Sequence, residues 1–273
     1  MSATGGTSSS GPRPDASRTS RRSDDAPDRV SADVGIVCSH KGELKSFLKR
    51  LDRQKKYSDH RMVIRGGFLG ETLRVAVVEA DNDFASHRAA TELLVNEHRP
   101  SWIFSCGFSS ALNADVKAGD VCLANEVADT HGNLLPVKCS IGPRNRVHVG
   151  RLISADSRPV DASSRATLAS QHPGLALDLG SLAIVQVCQE RSIRCFVIRS
   201  IVEELSETLP PKAAAMLFNP DSRAVGSVLG SVTRRIGNWA ELSAWRDRGT
   251  LAAANLDQFL TGLVEQIGEK LGR

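Results

Sequence analysis

The feature that most constrains this 273-residue chain is an alternation between short β-branched apolar runs and segments with apolar residues at helical spacing. The run VGIVCS at 34–39 leads into GELKSFLKRL, where Leu44, Phe47, Leu48 and Leu51 recur with helical period. MVIRGGFLGETLRVAVVEA reads as two strands about a glycine-rich turn, the second over 73–79. ASHRAATELLVNEHR reads as a helix stopped by Pro100. SWIFSCG is a buried strand ending at Gly107, and GDVCLANEV is a further strand entered through a glycine turn. The spacing then predicts a strand over 146–156, a helix in DASSRATLASQ capped by Asp161 or Ser163, and a buried apolar helix in LGSLAIVQVCQERS. A buried strand over 193–201 follows, and PPKAAAMLF, SRAVGSVLGSVTRRIG and LAAANLDQFLTGLVEQIGEKLG read as helices. Strands alternating with helices imply a single α/β domain with three layers, its mixed, mainly parallel central sheet covered on both faces.

Composition removes several function classes. No apolar run approaches the ~18 residues of a membrane-spanning helix, so no membrane partner is expected. The net charge of +4 comes from 35 basic and 31 acidic residues, well mixed along the chain, and the aromatics are 8 Phe, 3 Trp and 1 Tyr. Neither a basic patch nor a base-stacking platform follows, so no nucleic-acid partner is expected. Cys38, Cys106, Cys122, Cys139, Cys188 and Cys195 form no CxxC pair and sit mostly in apolar runs. They read as packing thiols of a reduced, cytoplasmic protein, with no metal and no cofactor expected. Residues 1–31, rich in Ser, Gly, Pro, Arg and Asp, form a disordered tail, and residues 32–273 form the domain.

In α/β sheets, ligands bind beyond the carboxyl ends of the strands. Four segments stand there: CSHKGE, CGFSSAL, SADSRP and VEEL. The chain has no GxxxxGK[ST] or GxSxG, and no GxGxxG follows a strand. Cys106 before Gly107 admits a cysteine–histidine nucleophile, against the simpler reading of a packed thiol. The acids are better candidates. Glu43 falls in the first helical turn after strand one, where a solvated helix-start carboxylate is the plain alternative. Glu203 and Glu204 follow an apolar strand, with solvated loop charge as the alternative. Two carboxylates from opposite ends of the chain can share a site as base and acid.

Taken together, these segments resemble the nucleoside phosphorylase and nucleosidase superfamily, in particular the methylthioadenosine/S-adenosylhomocysteine nucleosidases. The resemblance spans roughly residues 33–205 and a final helix. VGIVCSHKGEL is similar to the family's opening strand and acidic turn, and HRPSWIFSCGFSSAL to its glycine-rich central segment. KAGDVCLANEV, GRLISAD, LALDLGSLAIVQVCQ and CFVIRSIVEE follow in the family's order and spacing. The resemblance implies a nucleoside phosphorylase-like α/β domain, a homodimer and a small nucleoside-like substrate.

Carried over residue by residue, the resemblance puts the water-activating glutamate on Glu43 and the purine-protonating acid on Glu203, one methylene longer than the family's aspartate. The ribose-binding glutamate falls on Gly180 and is lost, its neighbour becomes Leu179, and the acid before it becomes Asp178. The base-stacking phenylalanine falls on Arg158, and a base-reading amide falls on Pro159, which has no N–H. The family's glycine-rich turn reads ADNDF at 80–84, and its central GSAGG reads Gly107, Phe108, Ser109, Ser110, Ala111. Substrate contacts are thus expected from Gly107, Ser109, Ser110, Arg158, Leu179 and Gly180. The phosphate-binding arginine of the phosphorolytic members falls on Ser105, which favours hydrolysis. The leading expectation is hydrolysis of the N-glycosidic bond of a purine-nucleoside-like substrate. The alternatives are a phosphorylase and a catalytically degenerate nucleoside-like ligand-binding protein. Residues 209–248, with Trp239, Trp245, Arg234, Arg235, Arg246 and Arg248, exceed the usual family length and read as a helical extension.

Overall fold

Valine, isoleucine and cysteine make β1 (Val34–Cys38) a strand buried along its whole length, and its alternate residues serve two cores. Val34, Ile36 and Cys38 pack toward the long C-terminal helix α6 (Trp239–Lys270), against Leu256, Leu260, Val264 and Ile267. Val37 packs the other way, toward Ala90 and Leu94 of α2 (Phe84–His98) and Ile184 of α4 (Ser181–Glu190). The period of two along a strand buried on both faces explains the unbroken apolar run. The computed structural model describes residues 1–2, 31–59, 62–218 and 239–272. The expected disordered tail and the helix expected at 222–237 fall, for the most part, outside them.

The remaining elements follow in chain order. They are α1 (Lys45–Leu48), β2 (Asp52–Asp59), β3 (Met62–Leu69), β4 (Leu73–Glu79), β5 (Trp102–Ala111), β6 (Val121–Asp129), β7 (Leu134–Pro136), β8 (Val147–Ser154), α3 (Ala162–Gln171), β9 (Ala176–Asp178), β10 (Arg194–Glu203) and α5 (Pro211–Phe218). The strands, β1 included, form one 10-stranded sheet with the order β10-β6-β8-β9-β5-β1-β4-β3-β2, β7 lying on β6. The mixed sheet agrees with expectation, but its mainly parallel character does not. The pairs β1–β4, β1–β5, β5–β10, β6–β8 and β8–β9 are parallel. As many are antiparallel: β2–β3, β3–β4, β5–β9, β6–β7 and β6–β10. Because β10 pairs with both β5 and β6, the strands β5, β10, β6, β8 and β9 close into a ring. Helices cover both faces, but part of the sheet also curls onto itself, which removes edges that would otherwise need covering.

Local differences have physical causes. The first helix shortens to α1, after which Arg50 and Leu51 bond back three residues to Phe47 and Leu48. Those tighter turns still bury Phe47 and Leu51. β5 runs past Gly107 to Ala111 because β10 pairs beside it as far as Glu203. The hydroxyls there find partners: Ser109 donates to the Leu177 carbonyl and Ser110 to Glu203. α2 closes with Arg99 in the left-handed region at φ 44°, just before Pro100. Asp161 caps α3 and accepts from the Ser164 amide in a capping box.

Leu260 on α6 is fully buried against this sheet. Leu260→Ala is expected to lower unfolding stability by about 2–5 kcal/mol, read by urea denaturation. A loss under about 0.5 kcal/mol, the scale of an exposed-site change, would mean that α6 does not cover this face.

Candidate active site

Two neighbouring parallel strands meet the first acid, one at its end and one along its length. β1 stops at Cys38, and the turn that follows aims the amides of Ser39 and His40 at Glu43 Oε2, at 2.9 and 3.3 Å. From β5 the Phe108 amide reaches Glu43 Oε1 at 2.8 Å. The carboxylate is 2% exposed and held by backbone alone, so it cannot turn without breaking several bonds. Gly107 makes the approach possible. A Cβ there would stand 2.8 Å from Glu43 Oε1, and any side chain would press on the acid. The plain reading of Glu43 as a solvated helix-start charge is excluded by this burial.

Glu43 lines a small cavity of about 20 Å³ together with His87, Arg158, Asp178, Arg199 and Phe218. That is room for about one water molecule. Gly107, Leu179 and Gly180 also line it, whereas Ser109, Ser110 and Glu203 do not. Larger hollows lie elsewhere, one of about 450 Å³ beside Arg144 and Phe259, but they hold no buried acid. The small cavity is where the chemistry-bearing side chains converge.

Glu203 sits one contact away, 1% exposed. Oε2 accepts from Arg158 Nη2 at 2.7 Å and from Ser110 Oγ at 2.6 Å. Oε1 accepts from Arg165 Nη1 at 2.7 Å and from the Leu209 amide at 3.0 Å. Arg165 also donates to the carbonyls of Glu204, Leu205 and Glu207, so it pins the turn after β10. The guanidinium of Arg158 lies 3.5 Å from the centre of the Phe218 ring. Burial pulls Arg158 down to about 10, Glu203 opposing and Arg165 adding to the shift, so it stays cationic at neutral pH. Phe218 ends α5, whose last carbonyls are held from across the cavity mouth. His40 bonds the Leu217 carbonyl at 2.7 Å, and Asn82 donates to that of Phe218.

On the opposite wall Asp178 opens α4. It accepts from the amides of Gly180 and Ser181, both at 3.0 Å, from the Ser181 hydroxyl, and from Arg199 Nε at 2.9 Å. Burial acts to raise this carboxyl, but Arg199, Ser181 and the helix-start amides outweigh it and hold it below the ordinary range. Arg199 is filled in turn, donating to Ser105, Ser181 and the Ile198 carbonyl. Ser105 is thus tied to Arg199. Gly180 packs against His87: a Cβ on it would fall 2.2 Å from the ring's Cγ. His87 is 3% exposed and its Nδ1 lies 2.8 Å from the Asp83 carbonyl. A carbonyl only accepts, so Nδ1 carries the proton. Burial lowers its pKa, so the ring is neutral.

Cys106 also lines the cavity. Burial pushes its thiol far above the ordinary value, Arg199 opposing and Glu43 adding, so the packed-thiol reading stands over a nucleophile. Among the described residues no group of three or more His, Cys, Asp or Glu side chains could hold a metal ion, and no helix is long and apolar enough to cross a membrane. Sequence reasoning overlooked His87, Asn82, Arg165, Arg199 and Phe218. An unexplained glycine at 180 was the one signal that a bulky ring lay opposite.

Asp178→Asn leaves Arg199 buried without its carboxylate. The variant is expected to lose about 3–5 kcal/mol at neutral pH. A lowered native pKa gives stability that is full above the unfolded value near about 3.9 and is lost as pH falls through the native value. Wild type and variant should therefore converge in denaturation midpoints toward low pH. A gap that stays constant with pH would refute the ionic account of this pair.

Neither a protein-family model nor a curated protein sequence matches the chain. Solved structures do. The methylthioadenosine/S-adenosylhomocysteine nucleosidase of Colwellia psychrerythraea in complex with adenine is similar at a TM-score of 0.66 and 14% identity, over 87% of this chain and 96% of that one. The corresponding nucleosidase of Neisseria meningitidis, in complex with methylthio-immucillin-A, gives 0.64 and 14% over 87% and 99%. Futalosine hydrolase of Helicobacter pylori gives 0.66 and 14% over 86% and 98%. The chain therefore shares the fold of the methylthioadenosine/S-adenosylhomocysteine nucleosidases of known structure.

Proposed function

We propose that this protein hydrolyses the N-glycosidic bond of a purine-nucleoside-like substrate, with Glu43 as the base. One observation carries the reading: a buried carboxylate, oriented by backbone amides, faces a cavity with room for a water molecule. Glu43 takes a proton from that water as its oxygen attacks the anomeric carbon. The carbon–nitrogen bond breaks, and the base leaves with the bonding pair. General-base assistance of this kind is worth about 10²–10⁴-fold.

The second acid takes a different part from the one expected of it. Every close partner of Glu203 is a donor, so in this arrangement it acts as an acceptor and anchors Arg158. We assign to Arg158 the stabilisation of negative charge on the departing base. A cavity of 20 Å³ does not hold a nucleoside, and ligand pockets measure about 300–1,000 Å³. Binding therefore displaces Phe218 and the end of α5 from over Arg158, which its bond to Glu203 keeps in place.

The same Arg158–Glu203 pair favours a second reading, a protein that binds a nucleoside-like ligand without turnover. Glu43→Gln separates the two. The variant is expected to fold and to be stabilised by the nucleosides that stabilise wild type, while releasing free base at least about 100-fold more slowly. Base release by the variant at the wild-type rate would remove Glu43 from the chemistry. Stabilisation of both proteins with no release by either would establish the binding reading.

A further inference from the structure

His87 stands apart from the other buried polar side chains of the cavity wall. Glu43 is filled by the amides of Ser39, His40 and Phe108. Asp178 and Arg199 are filled by each other and by Ser105, Ser181 and nearby backbone. Arg158 is engaged with Ser110 and Glu203. His87 uses Nδ1–H on the Asp83 carbonyl, and its Nε2 takes no hydrogen bond from any described residue. The ring is neutral, so Nε2 is an acceptor with an unused lone pair. The ring lines the cavity, and it fits there because Gly180 carries no side chain: a Cβ would stand 2.2 Å from the ring's Cγ.

We propose that His87 is a specificity-determining residue, its Nε2 accepting a hydrogen bond from a ring hydroxyl on the sugar part of the ligand. The inference rests on the nucleosidase reading in one respect only, the placing of the sugar. Glu43 and His87 line the same cavity, and water on Glu43 must reach the anomeric carbon. The ligand group beside His87 is then the sugar ring, whose hydroxyls are the donors within reach. The charged groups around the histidine are Asp83 on its own helix, Glu43 from the turn after β1, Asp178 before α4 and Arg199 on β10.

The test compares a purine ribonucleoside with its 2′-deoxy and 3′-deoxy analogues. Each is assayed by kcat/KM for base release and by thermal shift, using wild type, His87→Asn and His87→Gln. Asparagine keeps a donor for the Asp83 carbonyl and loses the acceptor, whereas glutamine places an oxygen near the position of Nε2. Wild type is expected to prefer the ribonucleoside over one deoxy analogue by about tenfold or more. His87→Asn should narrow that ratio to within about threefold, and His87→Gln should keep most of it. Equal ratios in all three proteins would overturn the proposal while leaving the hydrolase reading intact. If wild type releases no base, the hydrolase reading fails and the thermal shifts decide this one. A larger shift with the ribonucleoside, lost in His87→Asn, supports the hydroxyl contact, and equal shifts or none refute it.

Discussion

The site depends on one interaction, the seating of a buried carboxylate on the backbone of two adjacent parallel strands. β1 and β5 pair in register from Val34 with Trp102 to Val37 with Ser105. The turn after β1 and Phe108 within β5 then present the amides that hold both oxygens of Glu43. A carboxylate taken out of water is costly unless its lone pairs are matched. Here the matching donors are main-chain groups whose positions follow from strand pairing itself. The geometry of the acid and the fold are therefore the same constraint, and Gly107 belongs to both because its missing side chain lets the acid lie against β5.

A second layer of charge is built around that centre. Asp178 with Arg199, and Glu203 with Arg158 and Arg165, are deep ion pairs joining segments far apart along the chain. Pairs of this kind are weak sources of net stability but expensive to break singly. Their effect is to fix where the turn after β10 and the start of α4 stand relative to Glu43. Phe218 and Arg158 stack against each other in the wall of the same cavity. The two acids expected to form a pair stand, in this arrangement, as one carboxylate facing a cavity and another holding a cation at its wall.

Much of the fold was legible because it rests on local pattern. The runs at β1, β4 and β10 announced themselves through β-branched residues, and α2 and α3 through period, cap and stop. The strands β2, β7 and β9 were not legible. DRQKKYSD in β2 is polar and mostly exposed, and ALD in β9 is too short to show a period. Both exist because a neighbouring strand offers free backbone groups, which is a tertiary fact. Closure of the ring through β10 is likewise invisible in sequence, since nothing local says that one strand will pair on both sides.

The site divides the same way. Glu43 stood out as an acid at a strand end, and Gly180 as a missing side chain. Arg158 was expected near the ligand, yet its bond to Glu203 spans 45 residues of chain and could not be read from spacing. The account stands or falls on whether water is the nucleophile. Purified protein can be incubated with a panel of purine nucleosides, with and without inorganic phosphate, and the products identified by mass spectrometry. Free base and free sugar, formed at equal rates in both conditions, are the expected result. A sugar 1-phosphate that appears only with phosphate, or the absence of any free base, would contradict it.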